Sequence, residues 1–197
     1  MYKVGITGGI GSGKSTVCDI LREFDVAVYN SDVRAKELMT ESVSLRQALV
    51  ERFGEEVYNA EGLNRAYLAQ RVFGSASELE ALNAIVHPAV MADFDCWAEA
   101  QQGNYVVLES AILFEAQLEN RVDVVVSVMA PESLRVERAM QRDGASREQI
   151  VARIKAQMSD DERSDRSKYA IVNIDLEELR EEVEQLHRRL SYDSRAN

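Results

Sequence analysis

The sequence predicts an α/β protein: a doubly wound, parallel, five-stranded sheet with a helical subdomain inserted after the second strand and a helical lid near the carboxyl end. Three observations carry that prediction. Short apolar runs recur along the 197 residues. Amphipathic helical patterns separate them. A complete phosphate-binding pattern, Gly8-Gly9-Ile10-Gly11-Ser12-Gly13-Lys14-Ser15, follows the first run directly.

The first run, Lys3-Val4-Gly5-Ile6, reads as a short buried strand, and Thr16-Val17-Cys18-Asp19-Ile20-Leu21 as the opening of a helix. The G-x-x-x-x-G-K-[ST] pattern between them is that of a P-loop NTPase-type fold. Glycines let backbone N–H groups turn inward as an anion nest, Lys14 reaches the β- and γ-phosphates, and the Ser15 hydroxyl can ligate Mg²⁺. The following helix points its positive dipole end at the phosphates. Gly11, Ser12, Gly13, Lys14, Ser15 and Thr16 are therefore the candidate ATP-binding residues. A Gly-rich turn with a chance Lys-Ser is the alternative, and the strand–loop–helix context disfavours it.

The second strand, Val26–Tyr29, leads to Asn30-Ser31-Asp32. A carboxylate placed there could orient a substrate hydroxyl and accept its proton. Asp32 could equally cap a helix over Val33–Met39. The stretch from about Val33 to Gly103 is too long for a plain crossover, so residues 1–32 and 104–197 are expected to form the core and 33–103 an insertion. Within it Leu45, Leu49 and Phe53 fall four apart before Gly54, a helix stop. Leu63–Phe73 reads as a second helix and Leu79–Val86 as a third. His87-Pro88 is expected to break that pattern, with Pro88 opening the next helix. Asp93, Asp95 and Glu99 are expected to form a solvated face around Phe94 and Trp97.

Tyr105–Leu108, Val122–Val128 and Tyr169–Ile174 supply the remaining strands. Glu109, after the third, could hold Mg²⁺ through water or help position the acceptor, or be a strand-end carboxylate facing solvent. The apolar run Ala111-Ile112-Leu113-Phe114 before Glu115 could wall a pocket. Arg135, Arg138, Arg142, Arg147 and Arg153 lie on two helical segments joined at Asp143-Gly144-Ala145. Arg138 and Arg142, four apart, share a face. A mobile helical pair over residues 132–158 carrying arginines above the phosphates is a lid. The interleaved Glu132, Glu137 and Glu148 suggest the alternative of a solvated, ion-paired helix. Leu176, Leu179, Val183, Leu186 and Leu190 form one stripe of a terminal helix capped by Asp175, with a frayed tail beyond it.

The net charge of −11 argues against nucleic acid and anionic membrane surfaces as partners. Two cysteines without a C-x-x-C pair suggest buried thiols in a reducing compartment. The first strand begins too early for a signal peptide, so a soluble cytoplasmic protein is expected. The guanine-reading Asn-Lys-x-Asp is missing; the nearest run, Asn120-Arg121-Val122-Asp123, lacks the lysine. A small-molecule kinase remains, as a monomer or small homo-oligomer.

On these residues the chain resembles the dephospho-coenzyme A kinase family. The likeness runs from about Lys3 to Leu179. It takes in Gly5–Ser15, the Asp32 segment, Gly62-Leu63-Asn64-Arg65 with Val72-Phe73, His87-Pro88, Leu113-Phe114-Glu115, Gln141-Arg142-Asp143-Gly144, and Ala152-Arg153-Ile154 with Gln157. The resemblance implies a nucleotide-binding core, a helical coenzyme-binding insertion and an arginine-bearing lid. It implies ATP and dephospho-coenzyme A as substrates, with Mg²⁺. Asp32 matches the catalytic aspartate, Thr7 lies near the acceptor, Arg65 and His87 match substrate-side positions, and Arg142 a lid arginine facing ATP. Asn30 stands where the family usually has an acid, Ala111 where it has a proline, Arg135 where glutamine is common, and Ser167-Lys168-Tyr169 where Ala-Asp is usual. A nucleoside or nucleotide kinase of similar architecture is the alternative enzyme, and a weakly catalytic nucleotide-dependent binding module the alternative outside enzymes.

Overall fold

Every strand expected from the sequence forms. In the computed structural model, which describes residues 1–196, the strands are β1 (Tyr2–Thr7), β2 (Ala27–Asn30), β3 (Tyr58–Asn59), β4 (Gly62–Leu63), β5 (Tyr105–Glu109), β6 (Val124–Met129) and β7 (Tyr169–Val172). The helices are α1 (Lys14–Glu23), α2 (Ser31–Glu41), α3 (Val43–Phe53), α4 (Arg65–Val72), α5 (Ala76–Glu99), α6 (Glu132–Asp143), α7 (Arg147–Lys155), α8 (Asp160–Asp165) and α9 (Leu176–Ala196). The chain separates into two compact units, Met1–Asn30 with Ala98 onward, and Ser31–Trp97.

The first unit is the parallel sheet, in the order β2-β5-β1-β6-β7. Its central strands, β1, β5 and β6, are short apolar runs rich in valine and isoleucine, which suit a sheet buried on both faces. Val4, Ile6, Val107, Val124, Val126 and Val128 alternate onto one face. There they meet Val17, Cys18 and Leu21 of α1 and Leu179, Val183, Leu186 and Leu190 of α9 in one core. On the other face Gly5 is forced: a Cβ there would stand 2.6 Å from Leu113 Cδ1 and 3.1 Å from a Val122 methyl. Leu113 and Phe114 are thus buried, while Ile112 of the same run is exposed.

Two expectations in this unit need correction. The tail after Leu190 is helical to Ala196, because Asp193 accepts from Lys168 Nζ at 2.6 Å and Tyr169 Oη at 2.9 Å. Leu176 is exposed, so the buried stripe begins at Leu179. Asp175 does cap α9, accepting from the amides of Glu177 and Glu178.

His187 of α9 gives this core a pH dependence. Its ring stacks on Phe24 at 5.1 Å between centroids, and its Nδ1 shares a 2.8 Å hydrogen bond with the Tyr105 hydroxyl. Burial pushes its pKa below the usual 6.5. The unfolded chain then binds more protons, so stability rises with pH. The contribution is complete above pH 6.5 and is lost as pH falls through the lower folded value. His87 is lowered by burial in the same direction. His187→Gln is therefore expected to flatten, in part, the fall in melting temperature on the acid side of neutrality. An unchanged profile of melting temperature against pH would contradict it.

The second unit is mostly helical. Ser42 caps α3 by accepting from the Leu45 amide, and Gly54 closes it. Leu45, Leu49 and Phe53 are buried as their spacing predicts. The helix expected over Leu63–Phe73 is shorter. Gly62 (φ +113°) and Leu63 pair antiparallel with Tyr58–Asn59, and Asn64 caps a helix that starts at Arg65. The expected break at His87-Pro88 does not occur, since α5 runs through Pro88. Proline there forfeits a backbone hydrogen bond. Buried Val86, Val90, Met91 and Phe94 on one stripe hold the helix on both sides of it. Asp93 is no solvated acid: it receives Arg34 Nε at 3.1 Å and Nη2 at 3.0 Å. Cys96 is exposed, not buried; two residues past buried Phe94, it points about 200° round the helix. Among the described residues no helix is long and apolar enough to cross a membrane.

Candidate active site

The carboxyl ends of the central strands converge in register, where Ile6 of β1 and Asn30 of β2 both align with Glu109, and Thr7 with Ser127. The loop from Gly8 to Gly13 leaves β1 here. Its turns require left-handed backbone at Gly11 (φ +75°) and Gly13 (φ +92°). A Cβ at Gly13 would also lie 1.8 Å from Asn173 Nδ2. That amide donates to the Ser12 carbonyl at 2.9 Å, so the end of β7 braces the loop. Gly13 precedes α1 with no side-chain cap, and no acid lies in the first turn. The positive end of the α1 dipole therefore faces the loop with no carboxylate of its own first turn to offset it, which favours an anion there.

Lys14 and Ser15 open α1. Ser15 Oγ donates to Glu109 Oε1 at 2.8 Å, and Asn30 Nδ2 donates to Glu109 Oε2 at 2.8 Å. Glu109 is 4% exposed, which removes the solvent-facing alternative. Three buried hydroxyls at this end, Thr7 Oγ1, Ser12 Oγ and Ser127 Oγ, have no hydrogen-bond partner among the described residues. Buried hydroxyls are seldom left unpaired, so this end of the sheet suits a polar ligand. Ser15 and Glu109 are hard oxygen donors of the kind Mg²⁺ prefers. Among the described residues no cluster of three or more His, Cys, Asp or Glu could hold a metal by itself. An ion here would also need water and phosphate oxygens.

The arginines divide. Arg138 donates to the carbonyls of Asn173 (3.1 Å) and Ile174 (3.3 Å), just past β7. Arg142 is 63% exposed and grips Asp143 with Nε at 2.7 Å, and Arg153 reaches the same carboxylate at 3.2 Å. Hydrogen bonding to Arg142 holds the Asp143 carboxyl below its usual range. Arg135 is placed differently from Arg138, Arg142 and Arg153. It is 5% exposed, with Nε on the Ile10 carbonyl at 3.0 Å and Nη1 on Asp160 at 2.8 Å. A guanidinium is buried where a carboxylate and a carbonyl fix its fork.

The remaining predicted residues belong to the second unit. Asp32 is the exposed second residue of α2. It lies inside the first turn, not at the flanking cap position. Arg65 is exposed at the start of α4, and His87 is half-buried on α5.

A family model described as dephospho-CoA kinase matches residues 2–178. This chain belongs to the dephospho-CoA kinase family. The dephospho-CoA kinase of Bacteroides fragilis (strain YCH46) is 43% identical over 172 residues, 87% of this chain and 84% of that protein. That of Salinibacter ruber (strain DSM 13855 / M31) is 43% identical over 177 residues, 88% of this chain and 89% of the other. The crystal structure of TT1252 from Thermus thermophilus superposes with a TM-score of 0.84 at 35% identity, covering 96% of this chain and 97% of that one.

Several contacts that shape this family member's loop escaped sequence reasoning. Asn173 lies 161 positions from Ser12. Gln157 Oε1 accepts from the Ile10 amide at 2.8 Å. Asn30 occupies the second oxygen of Glu109. Position at the end of a strand was the signal available for Asn173, and none marked Asp160.

Proposed function

We propose that this chain transfers the γ-phosphoryl group of ATP to the ribose 3′-hydroxyl of dephospho-coenzyme A, giving ADP and coenzyme A, the last step of coenzyme A biosynthesis. The observation that carries the reading is the family match over residues 2–178, coinciding with an uncapped helix behind a complete phosphate loop. The loop amides from Gly11 to Thr16 and the Lys14 ammonium neutralise the β- and γ-phosphates. Ser15, with Glu109 through water, would hold Mg²⁺, which would supply positive charge to offset that of the phosphates. Asp32 aligns the 3′-hydroxyl and takes its proton as the new P–O bond forms and the bond to the ADP oxygen breaks. Thr7, Arg65 and His87 position the acceptor. Arg142 and Arg138 bring positive charge from the lid, residues 132–158. The helical insertion, residues 33–103, is the coenzyme-binding part. A cytoplasmic monomer or small homo-oligomer acting on small molecules, without nucleic acid, fits this reading.

Steady-state kinetics with ATP and a panel of acceptors tests it. Contacts to the remote parts of a long acceptor should help place its 3′-hydroxyl. The expected kcat/KM for dephospho-coenzyme A exceeds that for adenosine by about 10²-fold or more, as lost positioning of a truncated substrate implies. Comparable values would favour a nucleoside kinase.

A further inference from the structure

Ile10 is the one apolar residue of the phosphate loop, and it is gripped in three ways. Its side chain packs on the core between α6 and α7, formed by Val136, Ala139 and Ile150. Its amide donates to Gln157 Oε1 at 2.8 Å. Its carbonyl accepts from Arg135 Nε at 3.0 Å. Arg135 is in turn fixed by Asp160 at 2.8 Å. Asp160 also pairs with fully buried Arg163 at 2.9 Å, and Arg163 donates to the Met158 carbonyl and faces Glu115 at 3.6 Å. The guanidinium lies against the loop so closely that a Cβ at Gly9 would stand 2.1 Å from Arg135 Nη2.

We propose that Arg135 and Gln157 are positioning residues for nucleotide binding: they clamp the two peptide groups of Ile10 and so set the direction in which the loop presents its amides. This rests on the reading of the loop as a nucleotide site. A nest of N–H groups binds phosphate only while consecutive peptides keep their orientation. Each peptide of Ile10 is fixed from outside by one side chain, and neither side chain needs to touch the phosphate. Asp160, itself held by fully buried Arg163, fixes Arg135 from the side away from the loop. Lysine at this position could answer Asp160 but offers no planar fork to reach the Ile10 carbonyl as well.

The test is ADP affinity by calorimetry, with melting temperature measured alongside, for Arg135→Met, Arg135→Lys and Gln157→Ala. Loss of one such hydrogen bond corresponds to roughly three- to ten-fold weaker ADP binding. Arg135→Met should lose both affinity and melting temperature. Arg135→Lys should recover the melting temperature without recovering ADP affinity. Gln157→Ala should weaken ADP while the melting temperature hardly moves, and the KM for acceptor should stay unchanged. If Arg135→Met fails to fold, the other two variants carry the test. Wild-type ADP affinity in Arg135→Lys and Gln157→Ala would make the clamp purely structural and overturn the proposal. Because ADP binding needs no acceptor, a wild-type chain that binds ADP but does not phosphorylate dephospho-coenzyme A would overturn only the acceptor assignment. A wild-type chain that binds no ADP would overturn both.

Discussion

Asp32→Asn is expected to keep the fold and the nucleotide affinity while lowering kcat by about 10²–10⁴-fold, the range for a lost general base. The position supports a clean experiment. Asp32 is exposed in the first turn of α2, so an isosteric amide disturbs no core. A carboxylate near a helix N-terminus contributes only roughly 0.3–1 kcal/mol to stability. A role limited to the helix would therefore appear in the melting temperature and not in turnover. A loose transition state, in which proton transfer comes late, would place the effect at the smaller end. Wild-type turnover in Asp32→Asn would reduce the residue to a helix-end carboxylate.

Arg142→Ala is expected to lower kcat by about 10–10³-fold, below the 10³–10⁵ of a lone arginine finger, because Lys14 and Arg138 share the charge. It should weaken ground-state ATP binding much less. The side chain can serve this role because its present partner holds it lightly. The Asp143 contact is 2.7 Å but 63% of the arginine side chain is exposed, and exposed pairs contribute little. Arg153 also reaches Asp143, so the carboxylate keeps a partner when Arg142 leaves. Arg142→Lys should rescue poorly, since an ammonium offers no two-pronged donor. Comparing kcat with the ATP dissociation constant checks this. Unchanged kcat in Arg142→Ala, or full rescue by lysine, would make Arg142 a solvated surface residue.

What could be read from the sequence was what depends on local pattern. The five sheet strands announced themselves as short apolar runs, and the loop as fixed glycine spacing. The stripe of Leu179, Val183, Leu186 and Leu190 had helical period. What escaped depended on tertiary contact. Pro88 stops an isolated helix, but burial on either side carries α5 through it. The tail past Leu190 would fray alone, but Asp193 is tied to Lys168 and Tyr169. Asp93 looks like a surface acid until Arg34 is brought to it. At the site, Gly13 and Lys14 were readable because their chemistry lies in adjacent residues. Arg135 was misread for the converse reason. Helical spacing places it beside Arg138, and only the packing of Ile10, Asp160 and Arg163 turns it inward beneath the loop.

The measurement that tests the account most directly is the position of the transferred phosphate. Incubation with ATP, Mg²⁺ and dephospho-coenzyme A, followed by ³¹P NMR of the product, should show one new phosphomonoester on the ribose 3′-oxygen and stoichiometric ADP. ADP release without that phosphomonoester, or a phosphate carried elsewhere on the acceptor, would contradict the assignment of the 3′-hydroxyl as the group this site phosphorylates.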